Sequence, residues 1–202
     1  RVEGAAAAGA GRTGSPGAVW VTIDVPLMQF GGLNTGRWGK GLTLEKPLFY
    51  SWAMNNYWFT NFVASQRGQF VFRYAVAGGE CAASDAAANR FGREICSPLK
   101  AAVAVGRGEG PRRRSFIRVE PEQVAIVAVK EAENEPRGLV VRLRNLSDEP
   151  RKASIVLGPP LAPRSAVRAG ILEDLREELP LEAGAARLEL GPRSLATVVF
   201  RL

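Results

Sequence analysis

The chain of 202 residues is basic, with 27 Lys and Arg against 20 Asp and Glu, and it contains no histidine. Without an imidazole no Ser-His-Asp or Cys-His arrangement and no His-containing zinc site can be built, and two cysteines cannot make a four-thiolate cluster. The hydrophobic fraction of 46% suits a globular protein with a core, and the net charge of +7 suits either an anionic ligand or an acidic neighbouring domain.

Residues 1–17 are rich in Gly and Ala and include Ala5-Ala6-Ala7-Ala8. They lack the apolar stretch of a signal peptide and read as a loop or the edge of a fragment. No run in the chain approaches the roughly 20 apolar residues of a membrane span, so no membrane partner is expected. Val19, Val21, Ile23 and Val25 alternate with Trp20, Thr22 and Asp24, which predicts a half-buried strand ending at Pro26.

Tyr50 to Phe62 is the unusual segment, combining two Trp, two Tyr and three Asn. Aromatic faces pack on the C–H faces of a sugar ring, and amides offer both donors and acceptors to its hydroxyls. Asn55, Asn56, Tyr57, Trp58 and Asn61 are therefore the candidates to face a sugar. The competing reading is a buried aromatic strand whose Asn side chains brace a neighbouring loop.

Phe70, Phe72, Tyr74 and Val76 alternate with Val71, Arg73 and Ala75, predicting a second strand closed by Gly78-Gly79. A helix is predicted near 84–95, capped by Ser84 and Asp85, with Phe91 and Ile95 on one face and Pro98 after its end. The helix between Cys81 and Cys96 would hold these thiols on the order of 20 Å apart. A disulfide needs Cα atoms within about 7 Å, so free thiols and a cytoplasmic location are expected. Ala101 to Val105 reads as a short strand.

Residues 106–114 crowd Gly, Pro and Arg together and predict a linker between an 18–105 region and a 115–202 region. Gly106-Arg107-Gly108-Glu109-Gly110 has the wrong spacing for a phosphate loop. Arg112, Arg113 and Arg114 could neutralise phosphates, but without aromatic residues to stack bases a solvated linker is the better reading and nucleic acid the weaker one.

Beyond it, short alternating runs predict strands: Val124, Ile126 and Ala128; Leu139, Val141 and Leu143; Ala153, Ile155 and Leu157; Ala186, Leu188 and Leu190; then Ala196, Val198, Phe200 and Leu202. Polar turns separate them, as in a small β-sandwich. Leu172 and Leu175 suggest a brief helical piece at 171–178. Glu173, Asp174, Glu177 and Glu178 read as a charged, exposed face rather than a catalytic carboxylate pair. Asn145-Leu146-Ser147 fits the glycosylation pattern, which matters only in a secreted protein.

Several stretches resemble the carboxyl-terminal region of glycoside hydrolase family 38 α-mannosidases. They are Asp24-Val25-Pro26-Leu27, Gly31, Asn34-Thr35-Gly36, Trp38, Pro47-Leu48, Met54 to Phe62 and Phe72-Arg73-Tyr74. The helix around Ala88-Asn89-Arg90-Phe91-Gly92 with Ser97-Pro98-Leu99 is similar to that region too. So are Phe116, Val119-Glu120-Pro121, Val124, Lys130, Arg142-Leu143-Arg144-Asn145, Leu172-Glu173 and Leu195-Ala196-Thr197-Val198.

The resemblance implies an all-β, mainly antiparallel chain. Its first region would be part of a large galactose-mutarotase-like β-sandwich with one helix, and its second a small immunoglobulin-like β-sandwich. It also implies a parent enzyme whose amino-terminal α/β domain holds zinc on His and Asp residues, carries an Asp nucleophile and hydrolyses α-mannosides with retention. That machinery is expected ahead of this chain, so no catalytic or metal residue carries over to any position here. The implied function is non-catalytic: scaffolding the catalytic domain of the same parent, with a sugar-pocket role for 55–61 towards mannose-containing glycans. The alternative is a free-standing carbohydrate-binding or protein-interaction module.

Overall fold

A computed structural model describes residues 17–33, 48–54, 65–103, 105–106 and 110–202. The chain divides into two compact units between Lys100 and Ala101, a few residues ahead of the expected linker at 106–114.

In the first unit, β1 (Ala18–Thr22) pairs antiparallel with β4 (Tyr74–Gly78), and β2 (Met28–Phe30) pairs antiparallel with β3 (Phe49–Ser51). A short 3-10 turn at Gly79–Ala82 leads into α1 (Asp85–Cys96). The helix starts where expected because the Ser84 hydroxyl accepts the Ala87 N–H at 3.1 Å, satisfying an otherwise unpaired first-turn donor. Its apolar stripe supplies Ala88, Phe91 and Ile95, which pack with Val19 and Val21 of β1. Trp20 leaves β1 on the opposite side, as the period of two requires.

The strand predicted from Phe70 forms only from Tyr74. The reason lies in its partner. After Thr22 the first strand turns on its own hydroxyl: Thr22 Oγ1 donates to the Val25 carbonyl at 2.6 Å and accepts the Val25 N–H at 3.1 Å. The ladder is thereby cut short, and beyond it Ile23 N–H reaches the Arg73 carbonyl at 3.2 Å. Ala101 to Val105 likewise forms no strand among its described residues, where Val103 and Val105 are fully exposed. The thiols of Cys81 and Cys96 are free.

The second unit is built from β5 (Ile117–Glu120), β6 (Val124–Glu131), β7 (Gly138–Asn145), β8 (Arg151–Leu157), β9 (Ser165–Ala169), β10 (Leu175–Leu179), β11 (Leu181–Glu182), β12 (Ala185–Leu190) and β13 (Leu195–Arg201). One sheet has the order β10-β9-β13-β7-β6 and the other β11-β12-β8-β5, with every pairing antiparallel. The apolar members of the predicted alternations meet between the sheets. Val141, Leu143, Val198 and Phe200 come from one, and Ala153, Ile155, Leu157, Ala186, Leu188 and Leu190 from the other. Each fully buried Val, Leu, Ile or Phe contributes about 1.5–3 kcal/mol, so this seam is the main source of the unit's stability.

No helix forms at 171–178. Residues 170–174 make a tight turn and Leu175–Leu179 become the edge strand β10, paired with β9. The Leu172 and Leu175 spacing misled because Leu172 points to solvent and Leu175 sits at the sheet edge. A row of Arg176, Glu177 and Glu178 on that edge discourages pairing with another chain.

Candidate functional site

Asn55, Asn56, Tyr57, Trp58 and Asn61, the sugar-facing candidates, lie outside the described residues. The residues that lead up to them are described, and they join an aromatic cluster. Trp20 stacks on Tyr74 with ring centroids 5.1 Å apart and leans on Phe49 at 5.3 Å, while Phe30 meets Phe49 at 6.4 Å. Tilted and offset ring pairs at such distances are each worth about 0.5–1.5 kcal/mol beyond their buried area. Polar tips secure the cluster. The Trp52 indole N–H donates to Gln29 Oε1 at 3.0 Å, its backbone N–H donates to the Leu27 carbonyl, and the Ser51 and Tyr74 hydroxyls share a hydrogen bond of 2.9 Å. Trp20 is buried within it, whereas Tyr74 and Phe49 keep exposed faces. Exposed rings beside paired hydroxyls offer the mix of apolar face and polar rim that a sugar ring matches. Phe30 and Phe49 carry no local sequence signal for this cluster, because Phe30 meets Phe49 across the β2–β3 pair and Phe49 meets Trp20 of β1.

Asp24 and Arg73, drawn from two of the stretches that carry the resemblance, continue the β1–β4 pairing with side chains. The Arg73 guanidinium donates to both Asp24 carboxylate oxygens at 2.9 and 2.8 Å, and its backbone N–H adds a third bond at 2.8 Å. The Arg73 side chain foremost, then its N–H, holds the Asp24 carboxyl at about 2, well below its ordinary 3.8. A carboxyl depressed in the folded state stabilises the fold above its unfolded value, and that contribution is lost as pH falls through the folded value. The window is therefore between about 4 and about 2. A carboxyl NMR titration of Asp24 is expected to give a midpoint near 2. In Arg73→Met the midpoint should move up towards the ordinary value. A wild-type midpoint near 3.8 would mean that the bidentate pair is absent in solution.

In the second unit the residues singled out from sequence separate by role. Glu173 corrects the expectation of an exposed acidic face: it is 7% exposed. One carboxylate oxygen pairs with Lys130 Nζ at 2.6 Å and the other accepts the Glu133 N–H at 2.9 Å. These partners lie about 40 positions upstream, too far for any local pattern to show. Asp174 pairs with Arg176 and Glu178 with Arg201, so the four acids form no converging site. The arginine run has an aromatic neighbour after all, since the Arg114 guanidinium lies 6.0 Å from the Phe116 ring centroid.

Asn145 of the glycosylation pattern is wholly buried. Its amide nitrogen donates to the carbonyls of Glu149 at 2.7 Å and Gly191 at 2.8 Å, and its oxygen accepts the Ser147 N–H and hydroxyl at 2.9 and 2.8 Å. It therefore ties the turn after β7 to the turn before β13. Arg193 reinforces the tie by donating to both Asp148 carboxylate oxygens and to the Leu146 carbonyl. A fully engaged amide cannot carry a glycan in the folded chain.

Among the described residues no group of three or more His, Cys, Asp or Glu could hold a metal ion, and the chain has no histidine. The zinc implied by the resemblance thus has no ligand set among these residues. No helix of the described residues is long and apolar enough to cross a membrane.

Residues 123–198 match the family model described as glycosyl hydrolases family 38 C-terminal beta sandwich domain. The second unit carries the family 38 C-terminal β-sandwich. The match runs from the residue before β6 into β13. Within it, the resemblance residues Lys130, Arg142, Asn145 and Glu173 all make long-range polar contacts. No curated protein matches the chain.

Proposed function

We propose that this chain is the non-catalytic carboxyl-terminal β-region of an α-mannosidase-like glycoside hydrolase, scaffolding the catalytic domain of the same parent protein. The family 38 sandwich at 123–198 is the observation that carries this reading. The first unit supports it in a different way. Its strands form only two-stranded sheets among the described residues, and Leu27, Leu33, Met54, Val71 and Val76 stand exposed. A two-stranded sheet is marginal alone, and apolar surface of this kind is normally covered by a neighbour. The parent's catalytic domain would supply that cover, the zinc and the nucleophile. Two free thiols agree with a cytoplasmic setting.

In this reading 55–61 contributes to the sugar pocket, and mannose-containing glycans are the ligands. In the full-length enzyme, Asn55→Ala and Trp58→Ala are each expected to lower kcat/KM on an α-mannoside about tenfold, the loss of one good contact of about 1.4 kcal/mol. Folded variants with unchanged kcat/KM would leave the scaffolding role and remove the pocket role.

A further inference from the structure

The β10-β9-β13-β7-β6 sheet has an outer face that is apolar at its centre. Val140 of β7 and Val199 of β13 are directly paired, each about 1% exposed, and they cluster with Ala169 of β9 and with Ala132. The turn at 170–174 belongs to this side of the sheet. It is closed by the Gly170 N–H on the Asp174 carbonyl at 2.9 Å and the Glu173 N–H on the Gly170 carbonyl at 3.1 Å. The fit is tight, since a Cβ on Gly170 would lie 1.9 Å from Asp174 Oδ1.

Charge and hydrogen bonds, rather than packing, hold this strap down. Ile171 and Leu172 contribute no apolar anchor, with Leu172 83% exposed. Arg142 donates to the Ile171 carbonyl at 2.8 Å and to Thr197 Oγ1 at 3.3 Å. Glu173 makes the remaining bonds, to Lys130 and to the Glu133 N–H. It does so from a left-handed backbone, φ +66°, which a residue with a side chain adopts only when its surroundings compel it.

We infer that the 170–174 strap is an ionic latch, which opens as a unit when the Glu173 carboxylate is neutralised while the sandwich core stays folded. On opening, Lys130 keeps a second carboxylate, Glu133, at 2.7 Å, and Arg142, which loses the Ile171 carbonyl, keeps the Thr197 hydroxyl at 3.3 Å. It also relieves the left-handed residue.

The charged groups around Glu173 set where the latch lets go. Lys130 faces it from β6, Glu133 from the turn after β6, Arg142 from β7, and Asp174 with Arg176 from the strap and β10. Lys130, then the Glu133 N–H, hold the Glu173 carboxyl below its ordinary 4.5 against the opposing pull of burial. The latch is thus closed above that value and opens as pH falls through the lowered one.

Methyl NMR of the whole chain across a pH series tests this. The Val140 and Val199 methyl signals are expected to shift together below pH 4.5, in a step that the core residue Val198 does not join. Glu173→Gln should show the open-state shifts at neutral pH, and Lys130→Met should raise the midpoint. If Val140 and Val199 move only with Val198 in global unfolding, or a folded Glu173→Gln keeps wild-type shifts at neutral pH, there is no latch. Should Glu173→Gln fail to fold, Lys130→Met decides, and an unmoved midpoint overturns the inference.

Discussion

Phe200→Ala is expected to destabilise the second unit by about 3–5 kcal/mol. Phe200 is fully buried on β13, the strand flanked by β7 and β9, where its cross-strand partners are Leu139 and Ala166. It faces the seam into which both sheets send their aliphatic side chains. Truncation loses the transfer energy of a whole ring and leaves a void that two paired sheets cannot close without moving. A domain stable by only about 5–15 kcal/mol would lose a large part of its margin. Urea unfolding followed by the domain's own amide signals measures it, with a lower midpoint expected at similar slope. A loss below about 1 kcal/mol would show that the ring is not packed between the sheets in solution.

Asn145→Ala is expected to cost about 2–3 kcal/mol, because it removes several buried hydrogen bonds of about 1 kcal/mol each and leaves the Ser147 N–H without its acceptor. The carbonyls of Glu149 and Gly191 each lose the amide donor and keep a serine hydroxyl, from Ser147 and Ser194 respectively, while the Ser147 N–H loses its acceptor. Asn145→Asp should be at least as damaging. It restores the acceptor for Ser147 but turns a carboxylate oxygen towards those carbonyls. Ser147→Ala should be much milder, since it removes a hydroxyl and leaves the amide bracket in place. The same unfolding assay ranks the three. An Asn145→Ala protein as stable as wild type would mean that the two turns hold themselves.

The second unit was legible in the sequence where burial follows a strict period of two. Val141 and Leu143 alternate with Arg142 and Arg144, and Ile155 and Leu157 with less buried neighbours, so the alternation alone marks the residues of the seam. Ser165–Ala169 was missed because Ala, Val, Ala and an Arg give too weak a signal for a strand, although two partners hold it in place. The charged β10 was mistaken for helix because an edge strand has no need of apolar alternation. In the first unit the alternation at Phe70 and Phe72 is real, but Thr22 bends its partner away, which a strand-by-strand reading cannot see. The polar contacts were the least legible. Lys130 with Glu173, Asp24 with Arg73, and Asn145 with Gly191 each join segments far apart in the chain. The proposed sugar-facing segment at 55–61 still rests on its residue types and on the aromatic cluster that its flank joins.

The most direct test of the central claim is the mass of the native protein in its source cells, read with an antibody raised against this chain. The account predicts a species several times larger than 21.7 kDa that hydrolyses α-mannosides in a zinc-dependent way. A species near 21.7 kDa would contradict it and would mean that the β-region acts alone.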